Sequence, residues 1–279
     1  MILSFGADSA GLGPGVLALT LSSLAALVCY LAAALRSDRF SSALRTALLV
    51  GWIAHGLALA IDIAGIGSGV PGARFGFAPA LSLTLWLVLA VYQFESRRLP
   101  LPGARRALAT CGAVVVILAW AYPGRVHPQA ASVWAPLHWL LGIASYGLFG
   151  VAVLHGLLLS RAERQMRRAP LAGTAPAEGL PLLRLERLTF RFVAAGFVVL
   201  SAVIVLGTVF ASGWRWEHKT VFTLLSWLVF AGLLAGRRAL GWRGPKAAGW
   251  LYAGAVLLLL AYVGSRFVLE VLLNRPPST

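Results

Sequence analysis

Acidic residues are scarce in this sequence: nine Asp and Glu stand against 24 Lys and Arg among 279 residues. So few carboxylates, of which Asp62, Glu217 and Glu270 are the best placed, argue against a hydrolase working through paired acids. Cysteine is scarcer still. Cys29 and Cys111 both lie inside apolar runs, where a thiol packs as a small hydrophobe rather than pairing or holding metal. There is no HExxH, no nucleophile elbow, no phosphate loop and no CxxCH for covalent cofactor attachment. Charge of either sign amounts to 12% of residues, against about 25% for a soluble domain. A soluble globular fold is thereby excluded.

What is present is apolar: 59% of the residues are hydrophobic and the mean hydropathy is +0.82. About twenty apolar residues cross a bilayer. Eight such runs occur, at roughly 14–35, 46–66, 78–95, 107–122, 134–160, 190–211, 220–236 and 248–272. They predict an all-α, polytopic integral membrane protein, one transmembrane domain over residues 1–279. The first run lacks a charged n-region and is too long for a cleaved signal, so it reads as a retained span.

Seventeen of the 24 Lys and Arg fall in alternate loops, those after spans one, three, five and seven, while the intervening loops hold Arg74, Arg125, Arg215 and Lys219. This is the positive-inside pattern, which predicts a bacterial inner-membrane protein with both termini outside the cytoplasm. It also accounts for the net charge of +15 without nucleic acid; the lipid bilayer is the partner that composition demands. The longest loop, about 161–187, has a Pro/Ala/Gly-rich centre and reads as a flexible cytoplasmic linker with amphipathic helical ends. No repeat marks an inverted-repeat transporter, which weighs against a small-solute permease.

One short link breaks the apolar pattern. Gly213 to Thr220 separates two long spans and carries Trp214, Arg215, Trp216, Glu217, His218 and Lys219, an unusual load for an outer loop expected over 212–220. The five histidines sort into two tiers under this topology: His127, His138 and His218 at the outer surface, His55 and His155 in the inner half. Haem iron takes neutral imidazole as an axial ligand, its macrocycle packs on aromatic faces, and its propionates pair with Arg or Lys. The outer tier offers all three, with His138 or His127 opposite His218, the indoles of Trp139, Trp214 and Trp216, and the cations Arg215 and Lys219. The inner tier offers His55 and His155 as a bis-imidazole pair. A plainer reading stands beside each: Trp120, Trp134, Trp139, Trp242 and Trp250 suit an interfacial belt, His127 a solvated loop, and His55 and His155 hydrogen bonds between helices.

The stretch His138-Trp-Leu-Leu-Gly-Ile-Ala-Ser-Tyr146 at the start of span five, with the Trp-rich link before span seven, resembles the cytochrome c assembly family of haem-handling membrane proteins, the CcsA, CcmC and CcmF group. That family's signature, approximately W-G-x-x-W-x-W-D-P-x-E-T-W, meets Trp214-Arg-Trp-Glu-His-Lys-Thr220 here. The leading W-G pair is absent, the family's Asp is Glu217 and its Pro is His218. Of the family's four axial histidines, His138 matches well and His55 loosely, while the position at the end of span seven falls near Ala235 and the last span offers no histidine after Glu270. The departures resemble the reduced HemX-like or YpjD-like branch. The resemblance implies haem b, bound or presented at the outer face during cytochrome c maturation beside other maturation proteins, with His138 and more weakly His55 on the iron. It also leaves open a non-enzymatic scaffold or regulator of haem biosynthesis that no longer binds haem, and a complete haem lyase is the less favoured form.

Overall fold

The computed structural model describes residues 13–36, 41–67, 74–96, 102–126, 135–168, 182–210 and 217–272. Eight helices in it are long and apolar enough to cross a membrane. They are α1 (Pro14–Leu35), α2 (Ser41–Ile63), α3 (Phe77–Glu95), α4 (Pro102–Ala121), α5 (Ala135–Arg168), α6 (Leu182–Phe210), α7 (His218–Leu240) and α8 (Gly244–Leu259), the last continuing its span to Phe267. Backbone polar groups cannot be left unpaired in hydrocarbon, so apolar runs of this length become helices with their bonds closed internally. Their outward faces stay apolar, as at Val28, Leu57, Val198 and Leu228, because lipid rather than water surrounds them.

The helices run past the apolar runs that announce them. At 1.5 Å per residue the 29 residues of α6 measure about 44 Å, against about 30 Å of hydrocarbon. Residues 161–168 and 182–187 of the expected linker are therefore continuations of α5 and α6, and its centre, 169–181, lies outside the described residues. Beyond Leu259 the last helix widens into π turns at Leu260–Gly264 and Val268–Leu272 around a short α turn, Ser265–Phe267.

Two cores hold the bundle. One, within α1–α4, gathers Tyr30, Leu48, Leu89, Tyr92 and Ala109, and reaches Val151 of α5. The other, within α5–α8, gathers Phe149, Val193, Leu200, Phe230, Leu233 and Leu251. Glycine sets the closeness of several crossings: a Cβ on Gly112 would lie 2.9 Å from the Tyr30 ring, and one on Gly254 2.7 Å from that of Phe230.

The ends of the bundle differ. At one, the arginine end, α5 and α7 finish with Arg167 and Arg237–Arg238. At the other, strands β1 (Arg74–Phe75) and β2 (Arg125–Val126) pair antiparallel and tie the α2–α3 link to the α4–α5 link. Arg74 anchors this strand end: its Nε donates to the Gly124 carbonyl at 2.8 Å and its guanidinium pairs with buried Asp62 at 3.3 Å. Both ends of the described chain meet there, since Gly15 lies against Gly67 and the Phe267 ring lies 5.4 Å from that of Phe77.

Candidate functional site

His138 sits in the first turn of α5 at the strand end. Its ring lies on α6 where Gly207 has no side chain to exclude it; a Cβ there would come within 3.3 Å of its Cε1. The backbone of Val203 and the charge of Lys219 are its polar surroundings. Its Nδ1 is buried and has no hydrogen-bond partner among the described residues. A buried imidazole nitrogen without a partner costs free energy on the order of 1–3 kcal/mol. The residue next to it, Trp139, packs its ring 5.7 Å from Phe75 of β1, so it serves the strand end as well as the membrane interface.

His55 is engaged on both sides. Tyr30 Oη lies 3.1 Å from its Nδ1 and Ser82 Oγ 2.7 Å from its Nε2, in a triad joining α1, α2 and α3 with 1% exposure at the histidine. One turn earlier on α2, Trp52 stacks on Trp86 of α3 with centroids 4.7 Å apart and planes 7° from parallel. Each indole donates to the other residue's backbone carbonyl, at 3.0 and 2.9 Å. Gly56 makes room for Trp86.

His155 is engaged as fully. Its Nδ1 donates to the Val151 carbonyl at 2.8 Å, its Nε2 lies 2.7 Å from Glu95 Oε2, and its ring stacks on Phe192. With a carbonyl on one nitrogen and a carboxyl on the other, the pair must hold one proton between His155 and Glu95. Ser82 and Glu95, the α3 partners of the two histidines, are thirteen residues apart, or about 20 Å along the helix. The expectation of His55 and His155 as a bis-imidazole pair is thus corrected: they stand at different levels of the bundle. His55 belongs toward the strand end, eight residues from the close of α2, and not to the inner half. A count from Arg45 misplaced it because α2 extends before and after its apolar centre.

Of the Trp-rich link, Trp214, Arg215 and Trp216 lie outside the described residues, as does His127. Glu217 is the N-cap residue of α7 and pairs with Lys219 at 2.8 Å, and His218 opens that helix as an exposed residue. The end of the link therefore comes close enough for Lys219 to act on the His138 ring. Sequence reading missed Tyr30, Ser82, Trp86 and the role of Glu95. A serine or glutamate inside an apolar run was the available signal for two of them.

Of the three described histidines inside the bundle, His138 alone keeps a buried nitrogen unspent, so its donor set is the one that fits haem iron. It does not fit as well at His55 and His155, where iron would have to displace a bond already made. Among the described residues no three His, Cys, Asp or Glu converge as a site for a bare metal ion.

Comparison with known proteins bears on the same region. Residues 13–273 match the family model described as cytochrome C assembly protein. An uncharacterized 28.8 kDa protein of Azospirillum brasilense is 32% identical over 175 residues, covering 60% of this chain and 63% of that one. The inner membrane protein YpjD of Escherichia coli K12 is 32% identical over 139 residues, 49% of this chain and 52% of its own length. The cytochrome c biogenesis protein CcsA of Synechococcus sp. RCC307 is 27% identical over 221 residues, 66% of this chain and 70% of its own. The match thus spans about half to three fifths of the first two relatives, and no solved structure matches. With a family model matched along nearly its whole length and eight membrane-crossing helices to carry it, this chain belongs to the cytochrome c assembly protein family.

Proposed function

We propose that the protein works in cytochrome c biogenesis in the bacterial inner membrane, binding haem, as haem b, at the strand end and presenting it there. The observation that carries the reading is the buried, unpartnered Nδ1 of His138, one turn into α5 and within reach of the charge on Lys219. The alternate-loop placement of arginine supports the strand end, and with it both termini, as the extracytoplasmic side. In this arrangement His138 binds iron, Arg215 and Lys219 neutralise propionates, and Trp139, Trp214 and Trp216 cover the macrocycle. Glu217 holds Lys219 at the mouth of the site, with His218 exposed as a second imidazole. Haem supplies the iron and its two propionate anions; the chain supplies position, charge and exclusion of water. Other maturation proteins are the partners this role calls for.

The test is an optical spectrum. Protein purified in detergent and reconstituted with haem is expected to show a Soret band distinct from that of free haem in the same micelles. His138→Ala is expected to weaken haem retention by about tenfold or more. A spectrum identical to free haem, or one indifferent to His138→Ala, overturns the proposal.

A second reading, a scaffold or regulator of haem biosynthesis that has given up haem, is favoured by one observation. His55 and His155 spend all four ring nitrogens on the fold itself. Under it, replacing His138 leaves cytochrome c levels in cells unchanged.

A further inference from the structure

At the arginine end, α6 and α7 part to leave a groove of about 390 Å³ whose lining includes five arginines and a single acid, Glu186. That acid holds two of the five. Its carboxylate accepts from Arg243 Nε and Nη2 at 2.7 and 2.8 Å and pairs with Arg237 at 2.6 Å. Arg237 is fixed further by the Phe190 ring, 4.5 Å from its guanidinium carbon, and by the Trp242 carbonyl at 3.2 Å. The geometry depends on Gly241, whose φ of +63° ends α7 in a left-handed turn and brings Arg243 back to α6. The other three, Arg187, Arg191 and Arg238, are exposed and have no partner among the described residues. One carboxylate against five guanidiniums leaves a concave surface with an excess of four positive charges, two of the five arginines being held by Glu186.

The depth of the groove says which anion suits it. Its floor is apolar, formed by Phe190, Ala194 and Leu234, and Leu183 stands at its edge 66% exposed. One turn below Ala194 the same face of α6 reaches Val198, also 66% exposed and on the lipid-facing surface. The apolar run of α6 begins at Phe192, so Arg187 and Arg191 lie where hydrocarbon gives way to headgroups. A free phosphate would use the charge alone. A phosphodiester carrying acyl chains uses both, with its headgroup among the arginines and its chains along Ala194 and Val198.

We propose that the groove between α6 and α7 is a binding site for an anionic phospholipid, recognised by Arg187, Arg191 and Arg238 on a rim made rigid by Glu186. It is separate from the strand-end site and independent of whether haem binds there.

The full chain, delipidated in detergent, is titrated with phosphatidylglycerol and with phosphatidylcholine of the same acyl chains, and bound lipid is read by native mass spectrometry. Phosphatidylglycerol is expected to be retained at least about fivefold more strongly, the equivalent of a single arginine at a membrane surface. The triple variant Arg187→Gln, Arg191→Gln, Arg238→Gln is expected to lose that preference. Arg161→Gln, Arg164→Gln, Arg167→Gln, which removes as much charge from α5, is expected to keep it. The triple Arg→Lys version of the groove is expected to recover most of it. Should the groove triple fail to fold, Arg238→Gln alone, at an exposed position, carries the comparison with an expected loss of about fivefold. Equal retention of the two lipids, or equal loss in the α5 and groove triples, overturns the site. Displacement of the lipid by millimolar inorganic phosphate overturns the choice of a lipid over a free anion.

Discussion

In α1–α4 two polar clusters close between helices, Tyr30 with His55 and Ser82 and Trp52 with Trp86, while buried Asp62 faces Arg74 as an ion pair without a hydrogen bond among the described residues. In α5–α8 the centre is aromatic, with Phe149 stacked on Phe230 at 3.8 Å. Its polar links lie around that centre: Ser226 to the Gly254 carbonyl, Trp227 to Ser201, Tyr146 to the Leu258 carbonyl, and Glu186 to Arg237 and Arg243 at the arginine end. Of its histidines, His138 at the strand end has a buried nitrogen left over. A membrane interior makes unpaired polar groups costly, so His55, paired on both nitrogens, is held in a fixed geometry, whereas His138 keeps the nitrogen on which the proposed function draws. Under the proposed function the first four helices support and the last four carry the ligand chemistry.

Substitutions can break this comparison, and the largest effect is expected at the strand end. Arg74→Ala strands Asp62 as a buried carboxylate and frees β1 from Gly124, and should cost about 3 kcal/mol in detergent, read from thermal unfolding. A change below 0.5 kcal/mol would mean that the strand end is not a fixed frame. His55→Phe keeps a flat ring, slightly larger, but leaves the Tyr30 and Ser82 hydroxyls without their partner, for an expected loss of about 2 kcal/mol with little change in haem retention. If haem retention falls as far as it does for His138→Ala, the division between the halves is wrong. Ser226→Ala removes one bond between α7 and α8, worth about 0.6 kcal/mol in a bilayer-like medium. A small stability effect is expected for His138→Ala, within about 0.5 kcal/mol of the parent, because the ring bonds no other side chain and its orphaned Nδ1 offsets the loss of its contact with the Val203 backbone. A loss of several kcal/mol there would make His138 a structural residue and remove the contrast.

The eight helices were legible because hydropathy over twenty residues is a direct consequence of bilayer thickness. Their ends were not. Hydropathy marks hydrocarbon, whereas backbone hydrogen bonding carries α5 to Arg168 and starts α6 at Leu182, well beyond the apolar limit. The π turns after Leu259 left no mark in the sequence either; there the Leu258 carbonyl accepts from Tyr146 of α5, a contact 112 residues away. His138 was found as a candidate through its neighbours in sequence. The occupations of His55 and His155 were hidden, because their partners Tyr30, Ser82 and Glu95 come from other helices and only packing brings them close. The Trp-rich link drew attention by composition, yet Trp214 and Trp216 fall outside the described residues, and their part stays with the proposal.

The Trp52–Trp86 stack has a spectroscopic meaning. Two indoles with centroids 4.7 Å apart and planes 7° from parallel have transition dipoles close enough to couple, so the strength of an exciton couplet from this pair depends on the spacing and in-plane angle of the two rings. That couplet in ultraviolet circular dichroism is an intrinsic gauge of how closely α2 and α3 sit together. It follows the supporting half of the molecule without any label, while a visible spectrum follows the other.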